Sequence, residues 1–537
     1  MEGSGMNLAT TASKLKQGQT ALGIELGSTR IKCVLIDDGS ETIATGSYTW
    51  ENKFEDGIWT YSLDEVWEGI QQAYRELATK IWGIYHVPLE NIGSIGISAM
   101  MHGYLAFDKD EQLLVPFRTW RNNITQQAAD ELTKAFNFNI PQRWSIAHLY
   151  QAILNQEEHV AKINFLTTLA GYVHWRLTGE KVLGIGDASG MFPIDVSTKD
   201  YDKNKLSTFN ELVAAKNYPW NLVDILPKPL LAGSNAGTLT KEGAKLLDPT
   251  QTLQAGSLLA PPEGDAGTGM VSTNSVRVHT GNISVGTSAF SMNVLEHPLK
   301  QVYRDIDIVT TPAGLPVAMV HTNNCSSDIN AWAKIFAEFA KCLGVNISPD
   351  KLYETLFTQS AKARPDAGGL VNYSYLSGEN ITQIQKGRPL FVRTESSDFD
   401  LPDFFLSQLY GAFAPLKLGM DTLFNEEKIK TRVMIAQGGL FKTPVIGQQI
   451  LANALDLPIM VMKTADTGGP WGMALLALYA KSGTELSLEE YLDKKVFKQV
   501  ESMTLLPEKD GVKGYAKYIK RYQAGLAVEA LAGEKFE

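Results

Sequence analysis

The sequence feature that most restricts the fold is a strand–turn–strand segment that occurs twice. In the first copy, the apolar run 21–26 is broken by Gly27-Ser28-Thr29 and followed by the strand-like run 31–36. In the second copy, residues 283–288 contain a similar glycine turn and precede the apolar run 289–294. The repetition predicts two related domains that face each other across a cleft, each with a hairpin of backbone N–H groups for phosphates. Such turn residues are common, so the repetition alone also fits coincidence.

The region after the first copy predicts a meander rather than a strand followed at once by a helix. Asp37-Asp38-Gly39-Ser40 is a turn signal, and residues 43–50 read as a third strand. This order excludes the dinucleotide-binding fingerprint, in which the glycine turn opens a helix. Helices are predicted farther along the chain at 63–82, 443–455 and 513–531.

The size and charge of the chain limit its possible functions. With 537 residues it is too long for one hydrophobic core, so two large domains are expected. Its formal net charge of -10 argues against non-specific binding to nucleic acid. The three cysteines have no C-x-x-C spacing, and no apolar run reaches the roughly 18 residues of a membrane span. We therefore expect a cytoplasmic enzyme with no nucleic-acid and no membrane partner.

Two carboxylates remain as candidates for chemistry, because the sequence has no P-loop, zinc-ligand or G-x-S-x-G motif. Asp265 lies between glycines in the loop 258–269. An aspartate there could be the base for an acceptor hydroxyl, or it could bond its own backbone. Glu25 precedes the first glycine turn, where it could hold Mg²⁺ through water or point to solvent.

An ordered series of segments resembles the FGGY carbohydrate kinases over nearly the whole chain from about residue 21. The segments are, in order, GIELGSTRIKCVLID, ISAMMHGYLAFD, GDASGMFPID, EGDAGTG, ISVGTSA, YLSGE, AQGGLFKTPVIGQQIL and PWGMALLAL. The resemblance implies an α/β fold with two actin-like (ribonuclease H-like) domains, whose mixed sheets face each other across a nucleotide and sugar cleft. The implied division is a flexible leader at 1–19, an N-terminal domain at 20–274 and a C-terminal domain at 275–537.

The resemblance also implies the role of each candidate residue. Asp265 would be the catalytic base that accepts the proton of the attacking sugar hydroxyl, and together with Glu25 it would hold Mg²⁺. The sugar would be contacted by Asp265 together with Met101, His102, Trp120 and Asn122. The phosphates of ATP would be contacted by Gly27, Ser28, Thr29, Gly286 and Thr287. The adenosine of ATP would be contacted by Gly438 and Gly439.

The chain departs from the family pattern mainly at residues that would contact the sugar. Glu25 stands where relatives usually carry Asp, and Asn122 stands where they carry the Asp of Trp-x-Asp, with Arg121 adding a positive charge. The usual Gly-Gly-Asp-Asn is Glu263-Gly264-Asp265-Ala266 here, and Gly-Glu-Arg-Thr-Pro becomes residues 378–382, GENIT. The segments expected to bind phosphate follow the family pattern more closely than those expected to bind the sugar.

The leading hypothesis is ATP-dependent phosphorylation of a ketopentose such as D-xylulose, because Met101-His102-Gly103 resembles the xylulokinase-like sugar segment. Alternatives are a kinase of another ketose or polyol, such as L-ribulose or glycerol, and an ATP or sugar sensor with little catalysis. Only the fold supports a filament-forming actin relative. The expected partners are the sugar and ATP, and a homodimer is the candidate assembly.

Overall fold

A computed structural model of the chain describes residues 8–462 and 468–536. Within these residues the chain forms two compact units. Unit 1 comprises residues up to 276 with 308–317 and 468–499, and unit 2 comprises 277–307, 318–462 and 500–536. The units are discontinuous in sequence, whereas the predicted domains are continuous, and the predicted ranges stay a prediction.

The strands are, in chain order, β1 (Thr20–Leu26), β2 (Arg30–Asp37), β3 (Thr42–Thr49), β4 (Lys53–Glu55), β5 (Ile58–Thr60), β6 (Ser94–Ala99), β7 (Leu105–Phe107), β8 (Phe165–Thr167), β9 (Val182–Gly184), β10 (Ile194–Asp195), β11 (Asp200–Tyr201), β12 (Lys228–Leu230), β13 (Leu258–Leu259), β14 (Glu263–Gly264), β15 (Thr280–Val285), β16 (Ala289–Val294), β17 (Ile306–Thr310), β18 (Pro316–Thr322), β19 (Val371–Tyr373), β20 (Leu390–Val392), β21 (Val433–Gly438), β22 (Ile459–Met462) and β23 (Ser502–Leu505).

The α-helices are α1 (Leu8–Lys16), α2 (Leu63–Tyr85), α3 (Gln126–Phe136), α4 (Ser145–Leu154), α5 (Leu169–Thr178), α6 (Ile185–Ala188), α7 (Lys203–Val213), α8 (Leu222–Ile225), α9 (Lys241–Leu247), α10 (Asp265–Ser272), α11 (Ser327–Cys342), α12 (Pro349–Ser360), α13 (Leu401–Asp421), α14 (Ile446–Leu455), α15 (Gly468–Ser482), α16 (Leu488–Tyr491) and α17 (Lys509–Lys535).

The main sheet of unit 1 has the order β13-β6-β1-β2-β3, and β14 also pairs with β6. Strand β1 is antiparallel to β2 and parallel to β6, so the sheet is mixed. Helix α15 packs closely on this sheet because two strand residues are glycines. A Cβ atom at Gly23 would lie 1.9 Å from the carbonyl oxygen of Pro470, and one at Gly96 would lie 2.4 Å from Cε of Met473.

The main sheet of unit 2 has the order β17-β18-β16-β15-β21-β22-β23. Its centre repeats the arrangement of unit 1, because β15 is antiparallel to β16 and parallel to β21. Each of the two repeated sequence segments is therefore an antiparallel hairpin whose first strand has a parallel neighbour. The expected α/β class with mixed sheets is confirmed.

The segment predicted as a flexible leader has structure over part of its length. Residues 1–7 lie outside the described residues, but α1 is a helix that buries Thr11 and Leu15. The Nζ atom of Lys14 lies 2.6 Å from Oδ2 of Asp37 at the end of β2. Apolar burial and this ion pair hold α1 against unit 1.

Candidate functional site

Three parallel strands of unit 1 end at the same edge of the sheet. Leu26 of β1 lies opposite Ala99 of β6, and Ala99 lies opposite Gly264 of β14. The residues that follow these strand ends therefore share one edge, which is where open α/β sheets bind their ligands. The first glycine turn, the Met101-His102 segment and Asp265 all begin within two residues of these strand ends.

Every carbonyl oxygen of the first glycine turn accepts a hydrogen bond from Trp50 or Tyr61. The indole Nε1 of Trp50 donates to the Gly27 oxygen at 2.7 Å, and the Tyr61 hydroxyl donates to the Ser28 oxygen at 2.7 Å. The Trp50 amide donates to the Thr29 oxygen at 3.2 Å. The rings of Trp50 and Tyr61 are stacked at 4.1 Å, which fixes both donors. Because a peptide is planar and trans, the N–H groups of Ser28 and Thr29 point the opposite way.

The second glycine turn is held in the same manner by residues of unit 2. The amide of Cys325 donates to the Thr287 oxygen at 2.9 Å, and the amide of Ser326 donates to the Gly286 oxygen at 3.1 Å. The N–H groups of Thr287 and Ser288 therefore point away from those donors.

Each turn can bind an anion with its amide groups. The N–H groups of Ser28, Thr29, Thr287 and Ser288 have no hydrogen-bond partner within residues 8–462 and 468–536. Ser28, Thr29, Gly286 and Thr287 are exposed, and Gly27 is half-buried. Exposed, convergent backbone N–H groups at a glycine turn form an anion-binding concavity suited to phosphate.

Asp265 follows β14 directly and is the first residue of α10. Its Oδ1 accepts a hydrogen bond from the amide of Met101 at 3.3 Å and one from the amide of Ala266 at 3.0 Å. Solvent reaches the side chain, yet the surrounding protein raises the pKa of its carboxyl to about 6, against the effect of these hydrogen bonds. The carboxylate is thus oriented, ionised at neutral pH, and more basic than an ordinary aspartate.

Three further acidic residues lie at the same edge of the sheet. Glu25 is half-buried beside Gly469, and burial followed by the charge of Asp265 raises the pKa of its carboxyl to about 7. Burial also raises the pKa of Asp187 to about 7 and that of Glu263 to about 8. Sequence reasoning assigned no role to Asp187 or Glu263, although the segments GDASGMFPID and EGDAGTG contain them.

Glu263 of β14, the strand that precedes Asp265, bonds to the backbone of α6, which contains Asp187. Its carboxylate accepts the amide of Asp187 at 2.9 Å and the amide of Gly186 at 3.3 Å. A Cβ atom at Gly184 or at Gly186 would lie 2.4 Å from an oxygen of Glu263. Two glycines spaced two residues apart were thus the available sequence signal for a buried carboxylate.

Met101 and His102 follow the end of β6, where the amide of Met101 meets the carboxylate of Asp265. His102 is buried, has a φ of 70° and stacks on Trp144 with ring centroids 6.1 Å apart. Its Nδ1 lies 3.0 Å from the carbonyl oxygen of Gly190, so Nδ1 carries the proton. Burial and the charge of Arg143 lower its pKa to about 3. The imidazole is therefore neutral, with Nε2 left as an acceptor.

Family models match both parts of the chain. A model of the FGGY family of carbohydrate kinases, N-terminal domain, matches residues 20–250, and the corresponding C-terminal domain model matches residues 281–481.

The chain belongs to the FGGY family of carbohydrate kinases. Membership makes it a sugar kinase, and kinases of this family use ATP as phosphate donor.

Several relatives of this FGGY kinase cover it almost completely at low identity. The chain is 22% identical to a xylulose kinase from Haemophilus influenzae over 94% of its own length and 99% of the relative. A solved xylulose kinase from Lactobacillus acidophilus superposes with a TM-score of 0.79 at 19% identity, over 96% and 100% of the two chains. A solved gluconate kinase from the same organism gives 0.77 at 19% identity, over 96% and 99%. These structures confirm the two-domain, actin-like fold.

In this FGGY kinase the side chain of Asn122 bonds to backbone rather than lying free at the sugar site. It is buried, and its Oδ1 accepts the amide of Trp59 at 2.8 Å. Its Nδ2 donates to the carbonyl oxygens of Trp59 at 2.8 Å and of Thr119 at 3.0 Å. Both amide hydrogens are therefore used. Trp120 is 38% exposed, and Arg121 lies over the Trp59 ring at 3.8 Å. Sugar contacts of Trp120 and Asn122 stay a prediction.

Gly438 ends β21 opposite Val285, beside the second glycine turn, and Gly439 follows it. Gly438 has a φ of 120°, and a Cβ atom on it would lie 1.9 Å from the carbonyl oxygen of Val285, so only glycine fits there. A Cβ atom at Gly439 would meet nothing within 4 Å. The open space beside Gly439 is compatible with the predicted adenosine contact, which stays a prediction.

Glu25 and Asp265 fit a magnesium ion that is held mainly by phosphates and water. No group of three or more His, Cys, Asp or Glu side chains within the described ranges could hold a metal by itself. Mg²⁺ commonly binds through one or two carboxylates together with substrate phosphates. Burial, followed by the negative charge of Asp265, raises the pKa of Glu25, and a cation would offset the repulsion between the two carboxylates. In the part of the chain that the structure describes, no helix is long and apolar enough to cross a membrane.

Proposed function

We propose that this FGGY kinase phosphorylates a small ketose, with D-xylulose as the first candidate, and that Asp265 is the general base. The observation that carries the proposal is the placement of Asp265, whose carboxylate bonds the amide of Met101 and therefore lies beside the Met101-His102 segment. Solvent reaches Asp265, while Met101, which bonds to it, and the following His102 are buried. A sugar hydroxyl in this space can reach an oriented base.

The protonation states of the site suit transfer of a proton from an alcohol. With a pKa of about 6, the Asp265 carboxylate is ionised at neutral pH. It accepts the hydroxyl proton as the sugar oxygen attacks the γ-phosphorus, whose bond to the bridging oxygen breaks so that ADP leaves. The neutral His102 accepts a hydrogen bond from a second sugar hydroxyl at Nε2, since Nδ1 faces the Gly190 oxygen.

In this proposal ATP is bound by backbone groups rather than by a lysine of a P-loop. The N–H groups of the turn 27–29 are the phosphate donors of unit 1. Those of the turn 286–288 are the phosphate donors of unit 2, in which Gly438 with Gly439 leaves room for the adenosine. Glu25 and Asp265 would hold Mg²⁺, which would supply positive charge beside the phosphates. The carbonyl groups bonded behind each turn support this assignment, because they aim the amide groups outward.

A coupled ADP-release screen tests the proposal. Wild-type protein is assayed with MgATP and D-xylulose, L-ribulose, glycerol or gluconate, and each sugar is repeated with Asp265→Asn. We expect turnover with a ketopentose and its loss in Asp265→Asn, while binding of an ATP analogue is retained. Full turnover in Asp265→Asn would refute the role of the base. A preference for glycerol or gluconate would refute the substrate, and ATP binding without turnover on any compound would favour a sensor.

A further inference from the structure

One buried carboxylate of unit 2 lies behind the second glycine turn and has no role in the chemistry described above. Glu379 is 1% exposed and belongs to the segment YLSGE. Its Oε2 accepts hydrogen bonds from the backbone amides of Asn323 at 3.0 Å and Asn324 at 3.1 Å. The same oxygen accepts the side-chain amide of Asn324 at 3.1 Å. A buried carboxylate that takes three donors on one oxygen fixes the position of all three.

The donors belong to residues 322–326, here called the bridging segment, which joins β18 to α11. Its four consecutive amides at residues 323–326 divide into two pairs. Those of Asn323 and Asn324 bind Glu379, and those of Cys325 and Ser326 bind the carbonyl oxygens of the turn at Thr287 and Gly286. The bridging segment thus lies between the carboxylate and the turn.

The bridging segment also holds both ends of the turn. Oγ of Ser326 donates to the Gly286 oxygen at 2.5 Å, and Oγ1 of Thr322 accepts the amide of Ala289 at 3.2 Å. On the far side, Oδ1 of Asn324 accepts the amides of Leu376 at 3.0 Å and Ser377 at 3.1 Å. The segment that carries Glu379 is therefore bonded to the bridging segment through more than one group.

We propose that Glu379 is a positioning residue for phosphate binding: it holds the bridging segment so that the Gly286-Thr287-Ser288 turn presents its amide groups to ATP. This inference rests on the proposed function, because it assumes that the turn binds phosphate. Glu379 does not touch the nucleotide in this account. It acts through Asn323 and Asn324, whose neighbours Cys325 and Ser326 fix the peptide planes of the turn.

The expected consequence is a selective loss of nucleotide affinity. Glu379→Ala removes the acceptor of three donors, so the bridging segment can shift and the two turn carbonyls lose their fixed direction. A hydrogen bond to a charged group such as phosphate is worth roughly tenfold to a hundredfold in affinity. We therefore expect the Kd for the magnesium complex of a non-hydrolysable ATP analogue to rise between about tenfold and about a hundredfold. Binding of D-xylulose alone should not change.

Glu379→Gln and Glu529→Gln are the matched comparisons. The side-chain carbonyl oxygen that Glu379→Gln retains can still accept the three donors, so this variant should keep most of the affinity. Glu529 of α17 is also a buried glutamate of unit 2, and it accepts the backbone amide of Arg388 at 2.7 Å. It has no bond to the bridging segment among the described residues, so Glu529→Gln should leave nucleotide affinity at the wild-type value.

Isothermal titration calorimetry with the ATP analogue and magnesium is the test, followed by KM and kcat where the variants turn over. Glu379→Asp keeps the experiment decisive if Glu379→Ala does not fold, since it retains a carboxylate but shortens the side chain by one methylene group and so withdraws the acceptor from the amides of Asn323 and Asn324. We expect a raised Kd in Glu379→Ala, or in Glu379→Asp if the former is unfolded. Unchanged analogue binding in the folded variant overturns the inference, as does an equal loss in Glu529→Gln. Wild-type protein that binds no ATP analogue would instead refute the proposed function.

Discussion

Replacing Asn122 by aspartate tests whether this side chain serves the fold or the sugar. The resemblance to the family pattern implies Asp at this position, so the change resembles a return to that pattern. The structure predicts the opposite of an improvement, because Nδ2 donates to the carbonyl oxygens of Trp59 and Thr119 at 2.8 and 3.0 Å. A carboxylate there would face two acceptors and could donate to neither.

The magnitude follows from burial and the lost donors. Asn122 is 2% exposed, so the new charge would be desolvated. Two lost hydrogen bonds are worth about 1 kcal/mol each, and an uncompensated buried charge brings the expected destabilisation to about 3 to 5 kcal/mol. Desolvation would raise the pKa of the new carboxyl. The penalty is therefore present above that pKa and is lost as the pH falls through it, because the protonated acid can donate again.

The assay is urea unfolding followed by circular dichroism at several pH values. Asn123→Asp is the control, because Asn123 is the exposed neighbour and the substitution makes the same change in net charge. We expect the unfolding midpoint to fall for Asn122→Asp at pH 8 and to recover partly near pH 5, with little change for Asn123→Asp. An unchanged midpoint together with a raised KM for the sugar would refute the structural reading and favour a sugar contact.

Four further outcomes are expected. Below pH about 6, kcat/KM should fall about tenfold per pH unit, because Asp265 must be ionised to act as base, and a flat profile down to pH 5 would contradict its role. Glu25→Ala should raise the Mg²⁺ concentration needed for half-maximal turnover, and an unchanged titration would make Glu25 a bystander. Tyr61→Phe removes one donor behind the first turn and should raise KM for ATP several-fold, by about 1 kcal/mol, with little effect on KM for the sugar. Gly438→Ala should misfold or markedly destabilise unit 2, whereas Gly439→Ala should fold normally, so equal melting temperatures for both variants would refute the packing argument.

Local sequence determined the hairpins, because each needs only two short strands and a turn of small residues. The repeated segments at 21–36 and 283–294 form β1–β2 and β15–β16. The helix predicted at 63–82 appears as α2, which runs on to residue 85, and the one predicted at 513–531 appears as α17, which is longer at both ends. The helix predicted from 443 begins only at Ile446, after Val445 with a φ of 73°. Propensity marked the centre of each element better than its ends.

Tertiary structure alone decided how the site is supported. Trp50 and Tyr61 lie 23 and 33 residues from the turn oxygens that they bind, and Glu263 lies 76 residues from the amide of Asp187. Asn122 likewise meets Trp59 across 63 residues of sequence. No local pattern encodes such contacts.

The sequence by itself thus determined that the chain has two glycine hairpins and a candidate base, because turn chemistry and residue order are local properties. The tertiary structure decided which way the amide groups of those hairpins point, which carboxyls share the edge of the sheet, and that Asn122 bonds to backbone. The physical reason is that parallel pairing of β1, β6 and β14 joins segments far apart in the chain. The direction of a peptide group and the pKa of a carboxyl depend on which distant atoms that pairing brings within bonding distance.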